Sequence, residues 1–172
     1  MKKLLGKILF ILAVGLFTAC SPLPDPAPSP RVRDNFDTNW RFHLGDLRNA
    51  EQPSFDDSSW RQLNLPHDWA IEGDFSADNP SGPGGGALPG GVGWYRKHFD
   101  IDSTLLSSGK RIYLDFDGVY MLSEVFVNGH STGIRPYGYI SFRRDITPYL
   151  QAGTNVVAVR VDNSEQPNSR WY

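Results

Sequence analysis

Apolar and polar residues alternate with a period of two along three stretches of the chain. In Arg111 to Asp117, Ile112, Leu114 and Phe116 fall on one side and Tyr113, Asp115 and Asp117 on the other, the period of a half-buried β-strand. Tyr95, Phe99 and Ile101 share a face in the run before it, and Val157, Val159 and Val161 share one in the last run. Turn chemistry separates these runs. Asp117-Gly118, Asn128-Gly129 and Gly153 ahead of Asn155 recur at the spacing of sandwiches and jelly rolls. No helical stripe of comparable length occurs after the first twenty residues, and there is no internal repeat. The pattern predicts an all-β fold, a jelly-roll β-sandwich.

The amino-terminal residues follow a different logic. Lys2, Lys3 and Lys7 bracket and precede the apolar run Ile8 to Phe17, which breaks at Thr18-Ala19-Cys20. This run fits the h-region of a signal peptide and is shorter than the roughly 20 apolar residues of a transmembrane helix. Cys20, the only cysteine, stands where a bacterial lipoprotein signal places its lipidated residue, with Ala19 as the small residue before it. Phe17 departs from the Leu usual three positions before such a cysteine. Lipidation of Cys20 is the leading expectation; secretion with Cys20 removed is the alternative. One cysteine permits no internal disulfide, so the exported domain must be held by its core. Ser21-Pro-Leu-Pro-Asp-Pro-Ala-Pro-Ser-Pro30 favours an extended polyproline-like spacer. The expected organisation is therefore a signal over residues 1–20, a Pro-rich tether over 21–33 and one domain over 34–172. The protein would be exported, in the periplasm or at the cell surface, and would meet the membrane through its lipid alone.

A formal charge of −2 with interspersed signs argues against nucleic acid as a partner. An aromatic content of 13%, with five Trp and ten Phe, fits a dense β core or sugar-stacking surfaces. Trp40, Trp60 and Trp69 read as core rings or loop anchors before sugar platforms. Two strings imitate catalytic motifs without their context. The Gly-rich stretch Ser81 to Gly93 precedes the strand pattern Trp94 to Phe99, where a nucleotide loop needs a helix, and reads as a flexible surface loop beside a ligand site. Gly129-His130-Ser131-Thr132-Gly133 matches the G-x-S-x-G string of serine hydrolases, but Val125 to Gly129 runs into a hairpin turn. His43, His67, His98 and His130 are scattered without metal-ligand spacing, so neither a metal nor a cofactor is expected. Glu51, Glu72, Glu124 and Glu165 offer no acid and nucleophile pair. His67 and Asp68 read as satisfying each other or nearby backbone.

An ordered series of strings does carry an identity. Trp40-Arg41-Phe42-His43-Leu44-Gly45-Asp46, Phe55-Asp56-Asp57-Ser58-Ser59-Trp60, Leu65-Pro66-His67-Asp68-Trp69 and Gly93-Trp94-Tyr95-Arg96-Lys97 come first. Phe116-Asp117-Gly118-Val119-Tyr120, Val127-Asn128-Gly129, Tyr137-Gly138-Tyr139, Asp145-Ile146-Thr147 and Val159-Arg160-Val161-Asp162-Asn163 follow. Over Asp34 to Tyr172 the series resembles the N-terminal sugar-binding domain of glycoside hydrolase family 2, most closely exported bacterial β-galactosidases. The resemblance implies a jelly roll that precedes an immunoglobulin-like sandwich and a TIM barrel in full-length enzymes, with both catalytic glutamates in the barrel. It implies that this chain is a fragment lacking the catalytic pair, with a β-galactoside or related glycan and the downstream domains of the same polypeptide as its partners. It also implies that Asp162, after the last strand, accepts hydrogen bonds from sugar hydroxyls. Arg170-Trp171-Tyr172 resembles the start of the segment leading to the second domain. A free-standing carbohydrate-binding lipoprotein without hydrolase activity is the alternative.

Overall fold

The computed structural model describes residues 31–165. The chain divides into Met1–Asp34 and Asn35–Tyr172, and the fold below is that of the second unit. The signal segment, Cys20, residues 21–30 of the tether and the closing Arg170-Trp171-Tyr172 lie outside the described residues.

Eight antiparallel strands follow in order: β1 (Trp40–Leu44), β2 (Arg61–Leu63), β3 (Val92–Ile101), β4 (Tyr113–Phe116), β5 (Ser123–Val127), β6 (His130–Arg135), β7 (Phe142–Asp145) and β8 (Gly153–Asp162). They form a six-stranded sheet in the order β2-β1-β3-β8-β5-β6 and a two-stranded sheet of β4 and β7, the jelly-roll sandwich that the alternation predicts. The spine is the β3–β8 pair, in register from Val92↔Asp162 to Ile101↔Gly153. Asn128 (φ 50°) and Gly129 (φ 83°) turn β5 into β6, a left-handed pair that Asn-Gly adopts at low strain. The G-x-S-x-G string therefore lies in a hairpin. Asn128 also ties the turn to β8, donating from Nδ2 to Asn155 Oδ1 (2.8 Å) and accepting from Val156 N (2.9 Å). One helix escapes the period-two reading: α1 (Ser103–Ser107), capped by Asp102, whose side chain accepts from Thr104 N. Five residues are too few to show a helical stripe.

The two faces of the large sheet bury different things. On the inner face Phe42, Tyr95, Val125, Val127, Val157, Val159 and Val161 meet Leu114 and Ile146, with Phe116 and Phe142 stacked at 4.7 Å across the small sheet. Trp40 is in this core and donates from Nε1 to Phe36 O (2.8 Å). On the outer face Trp94 and Ala158 pack against Ala50 and Trp60 of the β1–β2 connection. Trp40 and Trp60 are both anchors, on opposite sides of one sheet. Among the described residues no helix is long and apolar enough to cross a membrane.

The outer face is fastened by charge. Arg96, in mid-β3, is fully buried; its Nε donates to Asp57 Oδ2 (2.8 Å) and its Nη1 to the carbonyls of Ala50 and Gln52. Asp57, 2% exposed, also accepts from Arg41 and lies 2.9 Å from His98 Nε2. Burial works to raise the Asp57 carboxyl, but hydrogen bonds from Arg96 and His98 outweigh it and hold the group below the usual carboxylate range.

Candidate functional site

A groove of about 730 Å³ lies on the inner face. Tyr95, Val159 and Val161 floor it, Phe116, Val119 and Tyr120 form one wall, and Leu65, Trp69, Ser81 and Leu88 form the other. The Gly-rich stretch builds part of that second wall. It is tied by its own hydrogen bonds, where the sequence suggested a flexible loop: Ser81 Oγ donates to Leu88 O (3.0 Å) and accepts from Leu88 N (2.6 Å), and Asn79 Nδ2 donates to Ala87 O (2.8 Å).

Trp69 opens a short 3-10 turn, Trp69–Glu72, whose cap is Asp68 accepting from Ala70 N (2.9 Å). Asp68 thus satisfies backbone, as its sequence suggested. His67 does not pair with it. His67 Nε2 lies 2.7 Å from Arg61 Nη2 and 3.2 Å from Glu72 Oε1, and Nδ1 lies 2.7 Å from Tyr95 Oη. Nε2 accepts from the guanidinium in one tautomer and donates to the Glu72 carboxylate in the other, and Nδ1 takes the complementary role toward Tyr95 Oη. Arg61 also grips Glu72 through both nitrogens (3.0 and 2.7 Å). Burial first, then the negative charges of Asp68 and Glu72, push the Tyr95 hydroxyl far above its ordinary pKa, so Tyr95 stays a neutral hydroxyl at the groove floor.

Trp69 packs edge-on over Gly93, where an added Cβ would stand 3.0 Å from its Cζ3 and from Phe42 Cε2. Glycine is required there by close approach. With Cζ3 and Cε3 against the sheet, the Nε1 edge faces away from it. Trp69 is 6% exposed, yet Nε1 finds no hydrogen-bond partner among the described residues.

Asp162 and Asn163 diverge at the end of β8. Alternation carries Asn163 inward with Val159 and Val161, into the groove lining, where Oδ1 is buried without a partner among the described residues. Asp162 turns to the outer face. Its Oδ1 accepts from Ser164 N (3.0 Å) and Oγ (2.6 Å), and its Oδ2 from Arg160 Nη2 (3.3 Å). Arg160 also holds Asp46 through Nε (3.0 Å) and Nη2 (2.8 Å). Burial tends to raise the Asp162 carboxyl; the Ser164 hydrogen bonds and the Arg160 charge prevail, so it is lowered and ionised at neutral pH.

The remaining carboxylates are dispersed. Glu72 pairs with Arg61, Glu124 accepts from Ser131 Oγ (2.6 Å) and Glu51 accepts from Gln52 Nε2 (3.0 Å). Among the described residues no group of three or more His, Cys, Asp or Glu is placed to hold a metal.

The family description "Glycosyl hydrolases family 2, sugar binding domain" matches residues 86–171. The chain belongs to glycosyl hydrolase family 2. Within that family it is 67% identical over 145 residues to β-galactosidase BoGH2A of Bacteroides ovatus, covering 84% of this chain and 17% of that protein. Among solved structures, a β-glycosidase from Bacteroides vulgatus is similar at 50% identity and a TM-score of 0.74 over 80% of this chain and 18% of that one. A β-glucuronidase of Bacteroides uniformis is similar at 28% identity and a TM-score of 0.65, over 77% and 15%. The chain thus spans less than a fifth of the length of each of these family 2 relatives.

Sequence reasoning treated Asn163 only as part of a string, although extending the β8 alternation by two residues places it inward. It also missed the Arg96–Asp57 ion pair. The available signal was a charged residue in the middle of the strand Trp94 to Phe99.

Proposed function

We propose that the chain is the amino-terminal sugar-binding part of an exported retaining β-galactosidase, anchored through lipid on Cys20 and inactive in hydrolysis by itself. The observation that carries this reading is the 67% identity to a Bacteroides ovatus β-galactosidase across 84% of the chain. The full polypeptide would hydrolyse terminal β-galactosides through a covalent glycosyl intermediate, using glutamates of a downstream barrel. Asp162 would contribute to the sugar pocket. Its lowered pKa supports an acceptor role, and Oδ2, which accepts from Arg160 alone, keeps lone-pair capacity, whereas Oδ1 is filled by Ser164 N and Oγ.

The test is an enzyme in which this chain replaces the matching stretch of the Bacteroides ovatus relative. Hydrolysis of a nitrophenyl β-galactoside is expected from the assembled enzyme and not from the 172-residue chain. Asp162→Ala is expected to raise KM or lower kcat/KM about tenfold or more without unfolding the domain, the effect of losing a charged hydrogen-bond acceptor. Unchanged kinetics would leave Asp162 as the cap of Ser164 alone, and turnover by the isolated chain would overturn the assignment of the catalytic groups elsewhere.

A further inference from the structure

Arg160 and Asp162 stand two residues apart on β8 and so share the outer face of the sheet. The guanidinium lies between two carboxylates and treats them unequally. It donates to Asp46 from Nε (3.0 Å) and Nη2 (2.8 Å), while the same Nη2 makes one longer contact, 3.3 Å, with Asp162 Oδ2. Two short charge-assisted bonds outweigh one long one, so the cation belongs to Asp46. Asp46 is itself fixed. Gly45 N donates to Val92 O (2.7 Å) where the chain leaves β1, and Trp94 Nε1, on the buried ring of the β3 residue that pairs with Arg160, donates to Asp46 Oδ1 (3.2 Å). Ser164 N and Oγ fill Asp162 Oδ1, which leaves Oδ2 as the oxygen with room for a further donor.

We infer that Asp46 is a positioning residue for Asp162: by holding Arg160 through two hydrogen bonds it keeps the guanidinium from closing on Asp162 and leaves Oδ2 open to a sugar hydroxyl. This rests on the reading of Asp162 as a sugar contact. An arginine released from Asp46 keeps the Asp162 carboxylate within reach, and at full charge-assisted strength their contact would shorten to about 2.8 Å. A hydroxyl would then have to displace a charged donor. Glu124 stands opposite Arg160 in the β5–β8 register, but its carboxylate accepts from Ser131 Oγ (2.6 Å). The two carboxyls also differ in what lowers them. For Asp46 the Arg160 hydrogen bond is the largest cause, whereas Asp162 is raised by burial and lowered first by Ser164 and only then by Arg160.

The test uses the enzyme assembled with the Bacteroides ovatus relative. Asp46→Asn keeps an acceptor for Trp94 Nε1 and removes the charge that holds Arg160; it is expected to raise KM for a nitrophenyl β-galactoside about threefold or more, with kcat within about twofold. In an Arg160→Gln background there is no cation to release, and the same substitution should leave KM unchanged, whereas a merely structural role would persist. An equal rise with and without Arg160 would overturn the inference. So would a KM that Asp46→Asn leaves unchanged while Asp162→Ala raises it, a result that spares the sugar contact. Unchanged kinetics in Asp162→Ala would defeat the sugar contact itself, and the role of Asp46 with it. A second measurement, titration of the Asp162 carboxyl by NMR in the 172-residue chain, needs no activity. Asp46→Asn should lower the midpoint, and because losing a like charge acts with or without the cation, the drop should be at least about twice as large with Arg160 as in Arg160→Gln. Equal drops would show that the freed guanidinium turns to Glu124 or to solvent, and would overturn the inference even where the assembled variants fold poorly.

Discussion

The two faces of the six-stranded sheet solve burial in opposite ways. The outer face carries the more polar side chains, yet each main charge has a partner: Arg96 and Arg41 meet Asp57, and Arg160 meets Asp46 and Asp162. The inner face is the more apolar of the two, yet it leaves Trp69 Nε1 and Asn163 Oδ1 without partners among the described residues. Polarity and completeness are therefore separate properties. The ionic outer face is closed by its own β1–β2 connection, and the apolar inner face is buried but carries two polar atoms without partners among the described residues.

That contrast sets an order of expected effects. Asp57→Ala strands the fully buried Arg96 charge and is expected to cost about 3–5 kcal/mol in urea unfolding. A cost under about 1 kcal/mol would break the comparison by showing that the outer face does not depend on its ions. Acid is the milder form of the same perturbation. Because the folded Asp57 pKa is lowered, its contribution is complete above the unfolded value of about 3.9 and is lost as pH falls through the folded one. Stability should fall below about pH 4, and in an Asp57→Ala background part of that fall should be absent; identical acid profiles would deny the linkage. Other lowered carboxyls, Asp46 and Asp162 among them, account for the remainder. The smallest effect belongs to the inner face. Asn163→Leu removes a buried acceptor that has no bond to lose, and should leave stability within about 1 kcal/mol of wild type, or raise it. A large loss would reveal a partner for Oδ1 and narrow the difference between the faces.

Legibility in the sequence followed the same division. β3, β4 and β8 announce themselves because one side of each is apolar, and the Asn128-Gly129 turn because its chemistry is local. The outer layer was not legible: Asp57 reaches Arg96 across 39 positions, and a connection wrapped over a sheet has no period to detect. The groove was equally hidden, since its walls come from separate segments that only the fold brings together. His67 shows the intermediate case. A structural role was readable, but its partners Tyr95 and Arg61 lie 28 and 6 positions away and its neighbour Asp68 is not one of them.

Arg96 has a consequence for how the chain avoids misfolding. A β-strand displaced by one residue exchanges its two faces, so a slipped β3 would carry the guanidinium into the hydrocarbon interior and turn Tyr95 toward Asp57. Burying an unpaired ion costs several kcal/mol, whereas valine-rich neighbours such as β8 would tolerate many alignments. One cation in the central pair therefore acts as a proofreading mark: it contributes little that hydrocarbon could not, but it makes the wrong alignments of a repetitive apolar sheet distinguishable from the right one.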